Sequence, residues 1–147
     1  MPKKEPIKGT YCLLIHLKHD SKITIGKLGE KYFTKGYYIY VGSALNSLET
    51  RILRHLRKEK KIHWHIDYLL NNENAEIIEV IYTISEIKWE CEIAATIAET
   101  GIGIVNFGCS DCKCQSHLFH FTKYDESRNA SINTLKKFNL NVNKYSE

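Results

Sequence analysis

The sequence lacks any long apolar run and any pattern of an exported protein. No stretch approaches the roughly 18 consecutive apolar residues that a membrane-spanning helix needs. The first residues, Met1-Pro2-Lys3-Lys4-Glu5, do not contain the apolar core of a signal peptide. These absences predict a cytoplasmic protein without a membrane partner.

Two further patterns are missing, a disulfide framework and a nucleotide-binding loop. The five cysteines are an odd number in a chain without an export signal, so we expect reduced thiols or metal ligands. The glycine-containing segments 26–29 and 101–103 lack the Lys-Ser/Thr pair that follows a phosphate-binding loop. A nucleotide hydrolase is therefore disfavoured.

The composition that is present is that of a soluble globular domain. Hydrophobic residues make up 43% of the 147 residues and charged residues 26%. A chain of this length forms one compact domain that buries about two-thirds of its unfolded surface. The sequence predicts this domain over residues 1–124. Residues 125–147 are predicted to form a polar tail with, at most, a short docked helix near residues 135–140.

Alternating and β-branched residues predict a small sheet. The predicted strands cover residues 10–17, 22–25, 30–33, 37–41 and 76–84, and the second and third of them form a hairpin. Alternation places Tyr38 and Tyr40 on one face of their strand and Tyr37, Ile39 and Val41 on the other. We expect an α+β fold with a small central antiparallel sheet, three core strands plus a hairpin, flanked by helices.

Three helices are predicted between and after these strands. The first has Asn46 as its N-cap and Glu49 reaching back to it, and it runs to about residue 60. Arg51 and His55 lie four residues apart beside an apolar stripe, so both side chains should emerge at the edge of the core. The other predicted helices cover about residues 63–70 and 87–99.

Positive charge is concentrated in the first helix and the residues that follow it. The formal net charge is only +4, but six cations fall in one short stretch: Arg51, Arg54, Arg57, Lys58, Lys60 and Lys61. Clustered cations attract a polyanion through steering and counterion release. Nucleic acid is therefore the expected partner, and a solvated helix face is the alternative.

Several ordered segments carry a resemblance to a known enzyme family. Gly9-Thr10-Tyr11 and Tyr40-Val41-Gly42 are followed by Arg51-x-x-x-His55 and then by a glutamate, Glu90 or Glu92. This order resembles the GIY-YIG nuclease superfamily, in particular its small stand-alone members related to the N-terminal nuclease domain of UvrC. The similarity extends over about residues 9–121 and includes the cysteine-containing segment 108–112 and residues 116–119.

The resemblance implies a metal-dependent endonuclease that hydrolyses phosphodiester bonds of DNA, with RNA as the alternative. Residues 1–124 would form the nuclease domain, with structure-selective or weakly sequence-specific cleavage. Tyr11 or Tyr40 would take the proton from a water molecule, while Arg51 and His55 would hold the phosphate, with Ser43 as a further donor. The other expected nucleic-acid-binding residues are Arg54, Arg57, Lys58, Lys60 and His117.

The metal-binding carboxylate is chosen by helix periodicity. Glu90 shares a helix face with the apolar residues Ile93, Ala94 and Ile97, whereas Glu92 lies on the polar face. Glu90 should therefore point inward and bind one Mg²⁺ or Mn²⁺ ion, with Glu92 as the alternative.

A second metal site is suggested by one dense group of soft ligands. Cys109, Cys112, Cys114 and His117 form the pattern Cys-x-x-Cys-x-Cys-x-x-His, which can supply four ligands to Zn²⁺. The ligand pairs of structural zinc sites usually come from separate segments, so thiols in a tight loop are the favoured interpretation. Two rival functions follow: a nucleic-acid-binding domain without catalysis, and a zinc-stabilised interaction domain.

Overall fold

The computed structural model describes residues 7–108 and 114–146. Within these ranges, six strands form one antiparallel sheet in the order β6-β7-β4-β1-β5-β8. These strands are β1 (Gly9–Leu17), β4 (Gly36–Ala44), β5 (Ala75–Ile84), β6 (Ile102–Gly103), β7 (Leu118–Phe121) and β8 (Asn143–Lys144). A separate hairpin is formed by β2 (Ser21–Thr24) and β3 (Glu30–Phe33). The predicted fold class is confirmed.

Strand β1 lies at the centre of the sheet because both of its faces are apolar. Leu13 and Ile15 contribute to a core on one face, and Cys12 and Leu14 contribute to a second core on the other. Strand β4 alternates in the same way, so Tyr38 and Tyr40 join the first core and Tyr37, Ile39 and Val41 the second. The predicted assignment of the tyrosines to one face is confirmed.

Four helices within the described residues pack against the two faces of the sheet. They are α1 (Leu48–Leu56), α2 (His65–Leu70), α3 (Glu90–Ile97) and α4 (Tyr124–Lys137). The apolar residues of α1 and α2 belong to the first core, and those of α3 and α4 to the second. A cavity opens where α1, α2 and the start of α3 meet the ends of β1 and β4.

The predicted limits of the first helix are wrong at both ends. Ser47, not Asn46, is the N-cap, and its hydroxyl accepts a hydrogen bond from the backbone N–H of Thr50. The helix stops at Leu56 because Arg57 has extended backbone angles (φ −69°, ψ 132°). The predicted continuation to residue 60 is replaced by a loop that leads into α2.

The segment predicted as a polar tail contains most of α4. This helix has 14 residues and buries Ser127, Ser131, Thr134 and Leu135 against the second face of the sheet. Tyr124, at its first position, donates a hydrogen bond of 2.6 Å to Glu79 on β5. Small buried side chains let α4 approach the sheet closely, which explains why a polar sequence can nevertheless pack there.

None of the helices in the described part of the chain is long and apolar enough to cross a membrane.

Candidate active site

Five of the predicted site residues meet at one open cavity of about 400 Å³. Strand β1 supplies Tyr11, strand β4 supplies Tyr40 and Ser43, helix α1 supplies Arg51, and Glu90 is the first residue of α3. The rest of the lining is Gly42, Leu45, Asn46, His63, Trp64, His65, Lys88 and Gly108. A guanidinium and a carboxylate therefore face the same space as two phenols.

The position of the Tyr11 ring depends on a glycine in the neighbouring strand. Tyr11 is paired with Gly42 in the register of β1 and β4. A Cβ atom added at Gly42 would lie 2.5 Å from the Tyr11 hydroxyl oxygen and from the adjacent ring carbon. Glycine is thus required here because the phenol lies directly over the backbone of β4.

His55 lies behind Tyr11 rather than on the surface of the cavity. Its side chain is only 2% exposed, and its Nε2 atom lies 2.8 Å from the Tyr11 hydroxyl. The His55 side chain therefore does not line the cavity, and its predicted role in holding the phosphate stays a prediction. The possibility that it is an ordinary surface histidine on a basic helix is excluded.

Burial keeps both members of this pair neutral. Desolvation lowers the pKa of His55 to about 3, and the cations Lys60, Arg54 and Arg51 add to the effect against the opposing field of Asp67. Desolvation also raises the pKa of the Tyr11 phenol, which Arg51 offsets only in part. At neutral pH the pair is a phenol hydrogen-bonded to an uncharged imidazole.

Tyr40 is the second phenol at the cavity. Burial raises the pKa of Tyr40 well above its usual value, and the nearby Tyr11 and Glu90 act in the same direction. Its ring lies 6.2 Å from the His55 ring, between centroids, in an edge-on arrangement. Both phenols therefore carry their protons in the protein without bound ligands.

Arg51 is held at the edge of the cavity by two contacts. Its Nη1 atom donates to the carbonyl oxygen of Ser43 over 3.3 Å, and its Cζ atom lies 4.5 Å from the centre of the Trp64 ring. Arg54 also contacts this ring, with its Cζ atom 4.2 Å from the same centre. These cation–π contacts restrict the guanidinium while leaving it at the cavity wall.

Glu90 lies inside the cavity and is ionised. The Ser43 hydroxyl donates to its Oε2 atom over 2.8 Å, and Nδ1 of His117 lies 3.0 Å from Oε1. Burial by itself would raise the pKa of this carboxyl, but hydrogen bonding from His117 and Ser43 outweighs burial and holds the pKa below its usual range. Glu92 is exposed on the other side of α3, so the side assigned to each glutamate by periodicity agrees with the structure.

Two of the predicted nucleic-acid-binding cations have partners within the protein. Both terminal nitrogens of Arg54 donate to the carboxylate of Asp67, at 3.0 and 2.9 Å, and the Asp67 side chain is fully buried. Lys60 donates to the carbonyl oxygen of His55 over 2.6 Å. Arg54 and Lys60 thus fasten α1 to the loop and helix that follow, whereas Arg57 and Lys58 remain exposed.

His117, the last residue of the cysteine pattern, lies behind the cavity wall at Glu90. This histidine is buried beside Glu90, and its predicted contact with a phosphate stays a prediction. Cys109 and Cys112 lie outside the described residues. Cys114 and His117 come together with Cys91 of α3, and the possible ligand atoms of these three residues all lie within 4.8 Å of one another.

Several lining residues carry little signal in the sequence. Trp64 supports both arginines, and His65 accepts a hydrogen bond of 2.9 Å from the backbone N–H of Gly108 through Nδ1. The sequence pattern His63-Trp64-His65 only indicates groove-lining or core-edge groups. Their neighbours come from distant parts of the chain, which local spacing does not reveal.

The chain belongs to the family described as "Domain of unknown function DUF123", which matches residues 10–140. No curated protein and no solved structure matches it. Because that family has no assigned function, membership neither supports nor excludes the resemblance to GIY-YIG nucleases. The nuclease activity and the residue roles stay predictions.

Proposed function

We propose that the protein is a metal-dependent endonuclease of the GIY-YIG type that hydrolyses phosphodiester bonds of DNA. The proposal rests mainly on one observation: Tyr11, Tyr40, Arg51 and Glu90, which the sequence assigns to catalysis, line a single cavity. Each side chain type suits one task of phosphodiester hydrolysis.

Arg51 is the group expected to bind the scissile phosphate. A planar guanidinium can donate two parallel hydrogen bonds to phosphate oxygens and stabilise the charge that develops in the transition state. Trp64 and the Ser43 carbonyl already restrict its orientation, so little side-chain entropy is lost when phosphate binds.

Glu90 is the residue that would hold one Mg²⁺ or Mn²⁺ ion. Its carboxylate is ionised and lines the cavity, and oxygen is the ligand that these hard cations prefer. The side chain therefore fits such an ion, although Lys88, with its Nζ atom at 3.6 Å, must move aside. When bound, the ion would supply Lewis-acid stabilisation of the phosphate charge.

The Tyr11–His55 pair provides a route for the proton of the attacking water. The Tyr11 oxygen accepts a proton from water while the phenol proton passes to Nε2 of His55, and the resulting hydroxide attacks phosphorus as the ester oxygen leaves with its electron pair. Because burial and nearby cations lower the pKa of His55 to about 3 in the protein without ligands, this transfer requires the dianionic charge that develops on phosphate to stabilise the imidazolium. Tyr40 lines the same cavity and contributes a hydrogen bond to the reacting oxygens.

DNA would be held mainly through its backbone. Arg57 and Lys58 are exposed beyond the end of α1 and supply sequence-independent attraction. Selectivity should therefore follow branch, nick or flap geometry, as expected for shape readout.

The proposal is tested by incubating the protein with labelled linear, nicked, flapped, branched and single-stranded DNA, with and without Mg²⁺ or Mn²⁺. We expect metal-dependent cleavage of at least one branched or flapped form. Arg51→Lys should lower the cleavage rate about 100-fold at unchanged DNA affinity, since the lysine ammonium keeps the positive charge but cannot form the bidentate hydrogen bonds to phosphate. Binding of all forms without cleavage under any metal would contradict the proposal and support the non-catalytic alternative.

A further inference from the structure

A group of soft ligands adjoins the cavity but belongs to none of its proposed steps. Cys91 is the second residue of α3, and Cys114 and His117 precede β7. The sulfur atoms of the two cysteines and one imidazole nitrogen lie within 4.8 Å of one another. The two cysteines are partly buried and the histidine is buried.

The ligand types and spacing suit a zinc ion. Zn–S bonds of about 2.3 Å and Zn–N bonds of about 2.0 Å put the ligand atoms of a tetrahedral site roughly 3.5–3.8 Å apart. Adjustments of about 1 Å in side-chain position would bring the three present atoms to that spacing. Two thiolates and an imidazole favour Zn²⁺ and disfavour Mg²⁺, which selects oxygen ligands.

The surroundings also resemble those of a zinc-binding histidine. Such histidines usually contact a carboxylate through the ring nitrogen that does not bind the metal, which fixes the ring orientation. Glu90 lies 3.0 Å from Nδ1 of His117 and is placed for this task. The ligands also come from two separate chain segments, which is typical of structural zinc sites.

We propose that Cys91, Cys114 and His117 bind one Zn²⁺ ion, at a site separate from the Mg²⁺ or Mn²⁺ position assigned to Glu90. Three protein ligands leave one tetrahedral position for a further donor. The ion fastens the beginning of α3 to the segment before β7 and so holds His117 against Glu90. The inference does not depend on nuclease activity, because the ligand geometry alone supports it.

The site is tested on full-length protein purified under reducing conditions, with zinc measured by mass spectrometry and folding checked by circular dichroism. Wild-type protein should carry about one zinc ion per chain, and Cys91→Ala should carry only background zinc. Cys12→Ala is the matched control, because Cys12 lies in the second core and should be irrelevant to zinc. Retention of stoichiometric zinc by Cys91→Ala would overturn the proposed ligand set.

A second measurement keeps the test decisive if Cys91→Ala fails to fold. Wild-type protein reconstituted with Co²⁺ should show thiolate-to-cobalt charge-transfer bands and the visible bands of tetrahedral cobalt. Zn²⁺ should abolish these bands and excess Mg²⁺ should leave them unchanged. Absence of thiolate bands together with absence of zinc in the purified wild type would refute the site, whatever the outcome of the cleavage assays.

Discussion

Removal of the Tyr11 hydroxyl should destabilise the fold through its buried partner. Tyr11→Phe keeps the ring over Gly42 but leaves Nε2 of His55 without its hydrogen bond of 2.8 Å, at a side chain that is 2% exposed. A buried polar atom that loses its partner costs about 1–3 kcal/mol. We therefore expect the free energy of unfolding to fall by about 2 kcal/mol.

Tyr38→Phe is the matched control on the same face of the sheet. The Tyr38 hydroxyl donates to the carbonyl oxygen of Thr34 over 2.6 Å, and Thr34 is exposed. Water can hydrate that carbonyl once the hydroxyl is gone, so the expected loss is only about 0.5–1 kcal/mol. The two substitutions delete the same atom and differ in the partner they leave behind.

Urea denaturation followed by circular dichroism measures this difference. With a denaturant slope of about 2 kcal/mol per molar urea, Tyr11→Phe should lower the midpoint by roughly 1 M and Tyr38→Phe by no more than about half of that. Adding His55→Leu to Tyr11→Phe should recover part of the loss, because no polar atom is then left unpaired. Equal midpoints for Tyr11→Phe and Tyr38→Phe would refute the reasoning.

Three further predictions concern the same region. The His55 pKa of about 3 lies below the unfolded value of about 6.5, so the stability contributed by neutral His55 is complete above pH 6.5 and is lost at about 1.4 kcal/mol per pH unit as pH falls toward 3. In urea titrations over this pH range, the free energy of unfolding should fall more steeply for wild type than for His55→Leu, and equal slopes would contradict the prediction. Gly42→Ala should displace the Tyr11 ring and slow cleavage more than it lowers DNA affinity. An unchanged cleavage rate would show that the close approach of Tyr11 to Gly42 has no functional role. Arg54→Ala should lower the free energy of unfolding by about 3 kcal/mol, because it leaves the buried Asp67 carboxylate without its cation. The exposed control Arg57→Ala should lower it by less than about 0.5 kcal/mol, and comparable losses for the two variants would refute the structural role of Arg54.

The features that the sequence predicted well follow from strict local periodicity. Side chains alternate on a strand, so Tyr38 and Tyr40 had to share a face, and both join the first core. On α3 the helical period separates Glu90 from Glu92, and the structure places only Glu90 at the cavity. For these side-chain directions within one element prediction and structure agree, whereas the limits of α1, which were also predicted from local sequence, do not.

The features that the sequence missed depend on contacts between distant residues. The basic sequence around His55 does not indicate that this side chain is buried. The burial of His55 follows from its packing beneath Tyr11 and Trp64. The ion pair between Arg54 and the buried Asp67 likewise joins α1 to a residue thirteen positions further along the chain. In each case the deciding partner is remote in sequence, and spacing alone does not identify it.

The same limit applies to the C-terminal helix and to the cysteine cluster. Helix α4 buries small polar residues such as Ser127 and Ser131, so hydrophobic periodicity is weak there. Cys91 lies far from Cys114 and His117 in the sequence, which kept it out of the predicted zinc ligands. Only the packing of α3 against the segment before β7 brings these residues together.

The central claim is that the Glu90 carboxylate holds the divalent ion required for DNA cleavage. The most direct measurement is the initial rate of cleavage of the best DNA substrate across a Mg²⁺ or Mn²⁺ titration, for wild type, Glu90→Gln and Glu92→Gln. The account predicts metal-dependent cleavage by wild type and Glu92→Gln, and none by a folded Glu90→Gln that still binds DNA. Cleavage by Glu90→Gln at the wild-type rate and metal dependence would contradict it.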